Sequence, residues 1–254
     1  MESHLTEQEK QQLREFRFTS TKSRSELTIE LAQLMDRDML SIYLEKLSNL
    51  IVAPNLQTTA SIFMKRYAFL AVIFLYSMTV YNKKLDISFQ NISLESIENQ
   101  EQWLPKIYFN HTTTFASTED RNEWRKECIK ELFAEHLFLI VNHLKKETKV
   151  SKDILWENIA IYIYWLYETL STHYNIEIRI RAKKDIHYLI HEAPENVLGI
   201  SNSNFLNKYG YDFIKDNANI RQRKTCCLSY RLKCGSRRCN TCPLSGTKYR
   251  VDKK

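Results

Sequence analysis

The sequence predicts a mainly α protein: a helical body with a few short strands, followed by a small cysteine-rich C-terminal segment. Three observations carry this. Gly and Pro number only four each in 254 residues, too few for the many turns of an all-β chain. Apolar residues recur at spacings of three and four through most of the chain. Five of the six cysteines fall within residues 221–244, and thiols this crowded either pair as disulfides or hold a metal.

Taken in order, residues 6–16 read as a short charged helix with few core positions. Ser25 is placed to cap a helix reaching about Leu34. Asp36 or Asp38 can cap the next, with Met39, Ile42, Tyr43, Leu47 and Ile51 on one face and Pro54 stopping it. Residues 57–82 predict one long helix around the apolar run at 67–81, which is apolar nearly all round and so should be the central core helix. The run of about 15 residues is shorter than the ~17–25 of a membrane span. Lys65, Arg66, Lys83 and Lys84 bracket it, so no stable membrane insertion is expected.

Between residues 83 and 116 the character changes. LDISF and IYFNHTTTF are β-branched and aromatic and read as strands or extended segments. Asn91 and Asn110 sit in glycosylation-type triplets, a motif common by chance. Residues 117–147 predict a helix capped by Thr118, with Trp124, Cys128, Ile129, Leu132, Phe133, His136, Leu137, Ile140, Val141 and Leu144 on its apolar face. On that face Cys128 reads as a small buried hydrophobe and His136 as a core residue. Ser151 caps a further helix reaching about Leu170, its core positions filled by Leu155, Trp156, Ile159, Ile163 and Tyr167. Residues 176–182 alternate apolar and charged side chains and read as a strand or a helix end. Residues 185–192 are helical before Pro194.

Outside the cysteine stretch the sequence offers little chemistry. No GxGxxG, GxxxxGK[ST] or GxSxG occurs, so dinucleotide, P-loop and serine-hydrolase chemistry lack their signatures. His187 and His191 lie four apart, but outside an HExxH motif, and read as a surface or structural pair. Arg179, Arg181, Lys183 and Lys184 read as a solvated basic face.

Charge divides the chain. Residues 221–254 hold eleven Lys/Arg and one acid, a net +10; removing this from the chain's +7 leaves the rest at −3. The composition shift places a boundary near residue 220, giving a helical body over 1–219 and a basic segment over 220–254. The polar N-terminus has no apolar h-region, so a reducing, cytoplasmic setting is expected and a metal outranks disulfides.

Cys239-Asn-Thr-Cys242 is a CxxC, shared by zinc ribbons, iron–sulfur proteins and redox disulfides. Pro243 and a short tail follow it, unlike the helix of a thioredoxin-type site. A structural zinc usually takes two CxxC knuckles, whereas the second element here is the adjacent pair Cys226-Cys227. A two-iron cluster offers two ligand positions on each iron, a wider target for adjacent cysteines. On the residues alone, both zinc and a cluster stay open.

The composite is more specific than its parts. CC, eleven residues, then CxxCPL, within an Arg-rich stretch containing CCLSY, resembles the C-terminal segment of the ferric siderophore reductase family, the FhuF type. Asn204-Phe205, upstream of the basic stretch, adds to the resemblance. It implies a [2Fe–2S] cluster on Cys226, Cys227, Cys239 and Cys242, and one-electron reduction of Fe(III) held by a siderophore, hydroxamates among them. The implied donor is a small protein such as a ferredoxin or flavodoxin, with no nucleic-acid partner. The spacing is one residue longer than the family's, and Cys234 lies inside it as a spare or a replacement ligand. Arg221, Arg223, Lys224, Arg231, Arg237 and Arg238 would offset the negative charge of a thiolate-bound cluster. The rival from another class is a zinc-stabilised nucleic-acid module using Tyr230 and Tyr249 among basic residues. A non-catalytic siderophore-binding protein is the third reading.

Overall fold

The computed structural model describes residues 2–96, 102–200, 204–210, 222–233 and 238–244. Cys234, Arg221, Arg237, Tyr249 and the boundary near residue 220 lie outside the described residues.

The body is helical, with two small sheets packed to it. Helix α1 (Glu7–Leu13) opens with a capping box in which Thr6 and Glu9 satisfy each other's backbone donors; Leu13 and Phe16 bury below it. The helix expected from Ser25 does not form. Ile29–Glu30 enters a sheet instead, and only a 3₁₀ turn, Leu31–Met35, follows. Asp36 caps α2 (Arg37–Leu50). Its core face is Leu40, Tyr43, Leu44 and Leu47, while Met39 and Ile42 point to solvent, 37% and 49% exposed. Leu40 and Leu44 thus take the places expected of Met39 and Ile42, while Tyr43, Leu47 and Ile51 are buried as expected.

Asn55 caps α3 (Leu56–Tyr67), which runs on through α4 (Phe69–Tyr76) and a π-helical turn, Ser77–Tyr81. By length and composition this 26-residue helix is long and apolar enough to cross a membrane, yet 83% of its apolar window is buried within the chain. Burial, not the length of the run, makes it the core helix. It packs against α2 and against α7 (Lys152–Ser171). Arg181 donates to the carbonyls of Thr79 and Val80 at its C-terminal end, so one member of the presumed solvated basic face is structural.

Among the described residues, seven short strands complete the body: β1 (Glu2–His4), β2 (Phe18–Thr19), β3 (Ile29–Glu30), β4 (Lys83–Leu85), β5 (Ile92–Glu95), β6 (Lys106–Phe109) and β7 (Thr113–Ala116). They form one sheet of order β1-β7-β4, all antiparallel, and one of order β2-β6-β5-β3 in which only the β2–β6 pair is parallel. Within LDISF only Leu85 is in a strand; Asn91 is buried and bridges the carbonyls of Asp86 and His111.

The helix expected over 117–147 is α5 (Arg121–Lys130), a π-helical stretch Glu131–Leu137, and α6 (Phe138–Thr148). Asp120 caps it, not Thr118, whose hydroxyl donates to the Asp120 carbonyl. Every apolar-face residue expected there is buried. Burial pushes the Cys128 thiol up, away from thiolate, and His136 meets the Tyr67 hydroxyl in the core. Residues 176–182 settle as helix: α8 (Ile176–His187), capped by Asn175 and followed by a π turn to Glu192. Two short helices, α9 (Glu195–Leu198) and α10 (Phe205–Lys208), follow. Between them Gly199, at φ +69°, turns where a Cβ would lie 2.7 Å from the Ala134 backbone.

Candidate metal centre

The described part of the cysteine segment sits on α3 and α7. The sequence reading passed over the residues that hold it. Glu157 and Asn158 interrupt the apolar run of α7 and are 3% and 0% exposed, a position a polar side chain keeps only with partners. Glu157 accepts from the Lys224 backbone N–H at 2.6 Å, from the Thr225 N–H at 2.7 Å, and from the Thr225 hydroxyl. Asn158 accepts from the Arg223 guanidinium at 2.7 Å and donates to the Ser61 carbonyl at 2.9 Å. Ser61 on α3 donates to the Cys227 carbonyl at 2.8 Å. Arg223, itself buried, lies 3.7 Å from Glu157 and ties the two cysteine pieces together through its N–H to the Thr241 carbonyl, 2.8 Å. Two polar residues in an otherwise apolar helix were the available signal; what they bind lies some 65 residues away, as the Arg223–Asn158 separation shows.

The four expected ligand residues come together. The Cys226 and Cys242 sulfurs are 3.7 Å apart. This is well beyond the ~2.05 Å of a disulfide, and near the ~3.8 Å edge of a tetrahedron with metal–sulfur bonds of ~2.3 Å. Cys239 is near enough to Cys227 to hold its thiol down. The CxxC itself is a turn closed by the Cys242 N–H to the Cys239 carbonyl, 2.9 Å. Among the described residues, no group of three or more His, Cys, Asp or Glu is placed around one ion. The described thiols are neighbours, Cys226 against Cys242 and Cys227 beside Cys239, and each is also felt by a thiol of the other couple.

The electrostatics favour thiolate at the inner sulfur. Cys227 is held far below the ordinary thiol range, first by Cys239, then by Lys65, Ser229 and Arg223 against the cost of burial. Lys65 Nζ lies 3.8 Å from the Cys227 sulfur and 3.4 Å from the Ser229 hydroxyl. Cys239 is pushed up by the same contact, and Cys226 by burial and then by its neighbour Cys242, although the Leu228 N–H supports its sulfur at 3.4 Å. Cys227 and Cys242 are buried while Cys239 is exposed, so the centre has an inner side and a solvent side. Arg231 and Arg238 flank the Tyr230 ring at 5.8 and 5.1 Å.

A model of the family described as ferric iron reductase FhuF-like transporter matches residues 61–191. The chain belongs to the FhuF family. The match begins at Ser61 and spans Lys65, Glu157 and Asn158, so it covers the residues that receive the cysteine segment, though not the segment itself. No curated protein matches the chain. The FhuF family's activity is reduction of ferric iron, which makes an oxidoreductase the family-level reading. His187 and His191 stand on the surface with rings 4.8 Å apart and His187 3.3 Å from Glu192. Cys128 lies on α5, buried away from this centre.

Proposed function

We propose that this protein is a cytoplasmic ferric siderophore reductase that releases iron by one-electron reduction of chelated Fe(III), using a [2Fe–2S] cluster held by Cys226, Cys227, Cys239 and Cys242. The observation that carries the reading is the gathering of the four thiols, with the Cys226 and Cys242 sulfurs 3.7 Å apart, in a segment docked through Ser61, Glu157 and Asn158, residues within the family match. Four thiolates fit the donor set of a two-iron centre, with two thiolates per iron. A single zinc takes four sulfurs about one point, so the zinc nucleic-acid module is separated from this reading by metal analysis.

When bound, a [2Fe–2S] cluster takes one electron from a donor and passes it on. The chain's residues do the rest. Glu157 and Asn158 hold the backbone of 223–227 against α7, so that Cys226 and Cys227 are presented from one rigid face. Lys65 and Arg223 supply positive charge beside Cys227, which stabilises thiolates and favours the more negative redox state. Cys239, with exposed Lys224, Arg231 and Lys233 in the same segment, forms a basic approach for an acidic donor such as a ferredoxin or flavodoxin. The substrate is Fe(III) in hard oxygen ligands, hydroxamates being the type proposed. Once reduced, Fe(II) is less charged, is held more weakly by those oxygens, and departs. No general acid or base is needed.

Anaerobic purification with a visible spectrum and iron, zinc and acid-labile sulfide analysis tests this. A brown protein with two irons and two sulfides is expected. A colourless protein with one zinc sinks the reductase. Mixing the reduced form with a ferric hydroxamate and a ferrous trap should reoxidise it; no reoxidation would leave a non-catalytic siderophore-binding protein.

A further inference from the structure

A second constellation lies elsewhere, between α5 and α8. Asp185 of α8 is fully buried and takes a bidentate pair from Arg121, both bonds 2.8 Å, and a hydroxyl bond from Thr79 at 3.0 Å. Arg125 of α5 reaches the same carboxylate only at 3.4 Å. Two guanidinium groups thus share one carboxylate, leaving a buried excess of positive charge. Arg125 is 6% exposed and Tyr188 is 8% exposed. The guanidinium lies 4.3 Å over the Tyr188 ring. Among the described residues, Arg125 Nε and the Tyr188 hydroxyl are buried without a hydrogen-bond partner. Leaving two such donors unmade is costly in a core.

Both residues line a cleft of about 440 Å³, with Lys126, Lys184, His187, Glu123 and Glu192 all around its rim. Lys126 pairs with Glu123 at 3.0 Å and His187 with Glu192 at 3.3 Å. Among the described residues Lys184 has no ion-pair partner. The cleft therefore combines two orphaned buried donors, Arg125 Nε and the Tyr188 hydroxyl, with the Lys184 ammonium, a donor set that matches an oxyanion. The rim carboxylates can accept from hydroxyls on the same ligand. The cleft is not the cysteine site. Tyr167, bonded to Thr79 beside Asp185, and Asn158, which anchors the cysteine segment, are separated on α7 by about nine residues, or ~13 Å of helix.

We propose that this cleft is an oxyanion-binding site for a small hydroxylated carboxylate or phosphate ester, with Arg125 and Tyr188 as its buried donors and Lys184 as its outer cation. The size suits a small molecule, within the usual ~300–1,000 Å³ of ligand sites.

Isothermal titration calorimetry of the full chain with citrate and with glycerol phosphate tests the site without reference to any redox activity. Saturable binding with a Kd below about 1 mM is expected. Tighter binding of citrate assigns a hydroxycarboxylate, and tighter binding of glycerol phosphate a phosphate ester. Tyr188→Phe keeps the ring under Arg125 and Lys184→Ala alters an exposed side chain, so both should fold as wild type by circular dichroism. Each should weaken binding at least about fivefold. Lys46→Ala, an exposed lysine on α2, should leave it unchanged. The proposal is overturned if neither probe binds saturably by about 10 mM, if both cleft variants bind as wild type, or if Lys46→Ala loses as much as they do. None of these results bears on the cysteine centre, so the two readings fail separately.

Discussion

Glu157 is the residue whose loss should most directly separate the cysteine segment from the body. It is 3% exposed and accepts from two backbone N–H groups and one hydroxyl of residues 224–225. Hydrogen bonds to a charged group contribute ~1.5–3 kcal/mol each. The three share one carboxylate and are not additive, so Glu157→Ala should cost about 4–6 kcal/mol of docking free energy. At ~1.4 kcal/mol per tenfold, that is roughly 10³–10⁴ in the docked-to-undocked ratio. Glu157→Gln keeps the shape but replaces one acceptor oxygen with a donor, and should cost about half as much. The helices should survive both changes, since Trp156, Ile159 and Ile163 stay packed. The assay is thiol alkylation of the metal-free chain, resolved by peptide mass spectrometry. Cys227 and Cys242, 3% and 1% exposed, should react slowly in wild type and far faster in Glu157→Ala, approaching Cys239. Unchanged alkylation with an intact body would refute the idea that α7 carries the segment.

Three further outcomes are expected. Cys234→Ser should leave the iron and sulfide content at the wild-type level, because the proposed ligand set of Cys226, Cys227, Cys239 and Cys242 does not include it; loss of half the iron or more would make Cys234 a ligand. Lys65→Met should lower the reduction potential of the loaded protein, since a cation 3.8 Å from the Cys227 sulfur is lost. For a half-exposed charge, about 1–2 kcal/mol, or ~45–90 mV, is expected by redox titration, and an unchanged potential would remove Lys65 from the electrostatics. His136 should make the fold acid-sensitive: burial holds it down at about 3, below the ~6.5 of an unfolded histidine. The unfolded chain therefore takes up the proton first. Stability should fall by up to ~1.4 kcal/mol per pH unit as pH drops from about 6.5 toward 3. Urea unfolding of His136→Leu between pH 6 and 4 should show a shallower slope, and an equal slope would exclude His136 as the cause.

Legibility tracked the range of the forces involved. The face of α5–α6 was readable to the residue because one helical period governs it and the whole stripe is buried. Asp120 displaced Thr118 as the cap, since adjacent capping residues compete and only backbone geometry chooses between them. The stretch from Ser25 to Leu34 failed because Ile29–Glu30 pairs with β5, a strand more than 60 residues away, as the partner Leu94 shows. Residues 176–182 alternate like a strand, yet Asn175 caps them as a helix whose exposed Ile176 and Ile180 break no rule of sheet burial.

The sequence by itself determined that the chain is mainly helical, that its core runs through 57–82, and that five cysteines crowd one basic segment. Local period, composition and spacing are enough for each. Only the tertiary structure decided how those cysteines are placed. The approach of Cys226 to Cys242, and the place of Cys227 beside Lys65, depend on where Glu157, Asn158 and Ser61 hold the backbone. Ser61, Lys65, Glu157 and Asn158 are polar positions on two apolar helices, and nothing in their own neighbourhoods says what they bind. Their partners are brought to them by the packing of α3 on α7, a long-range contact that no local pattern encodes.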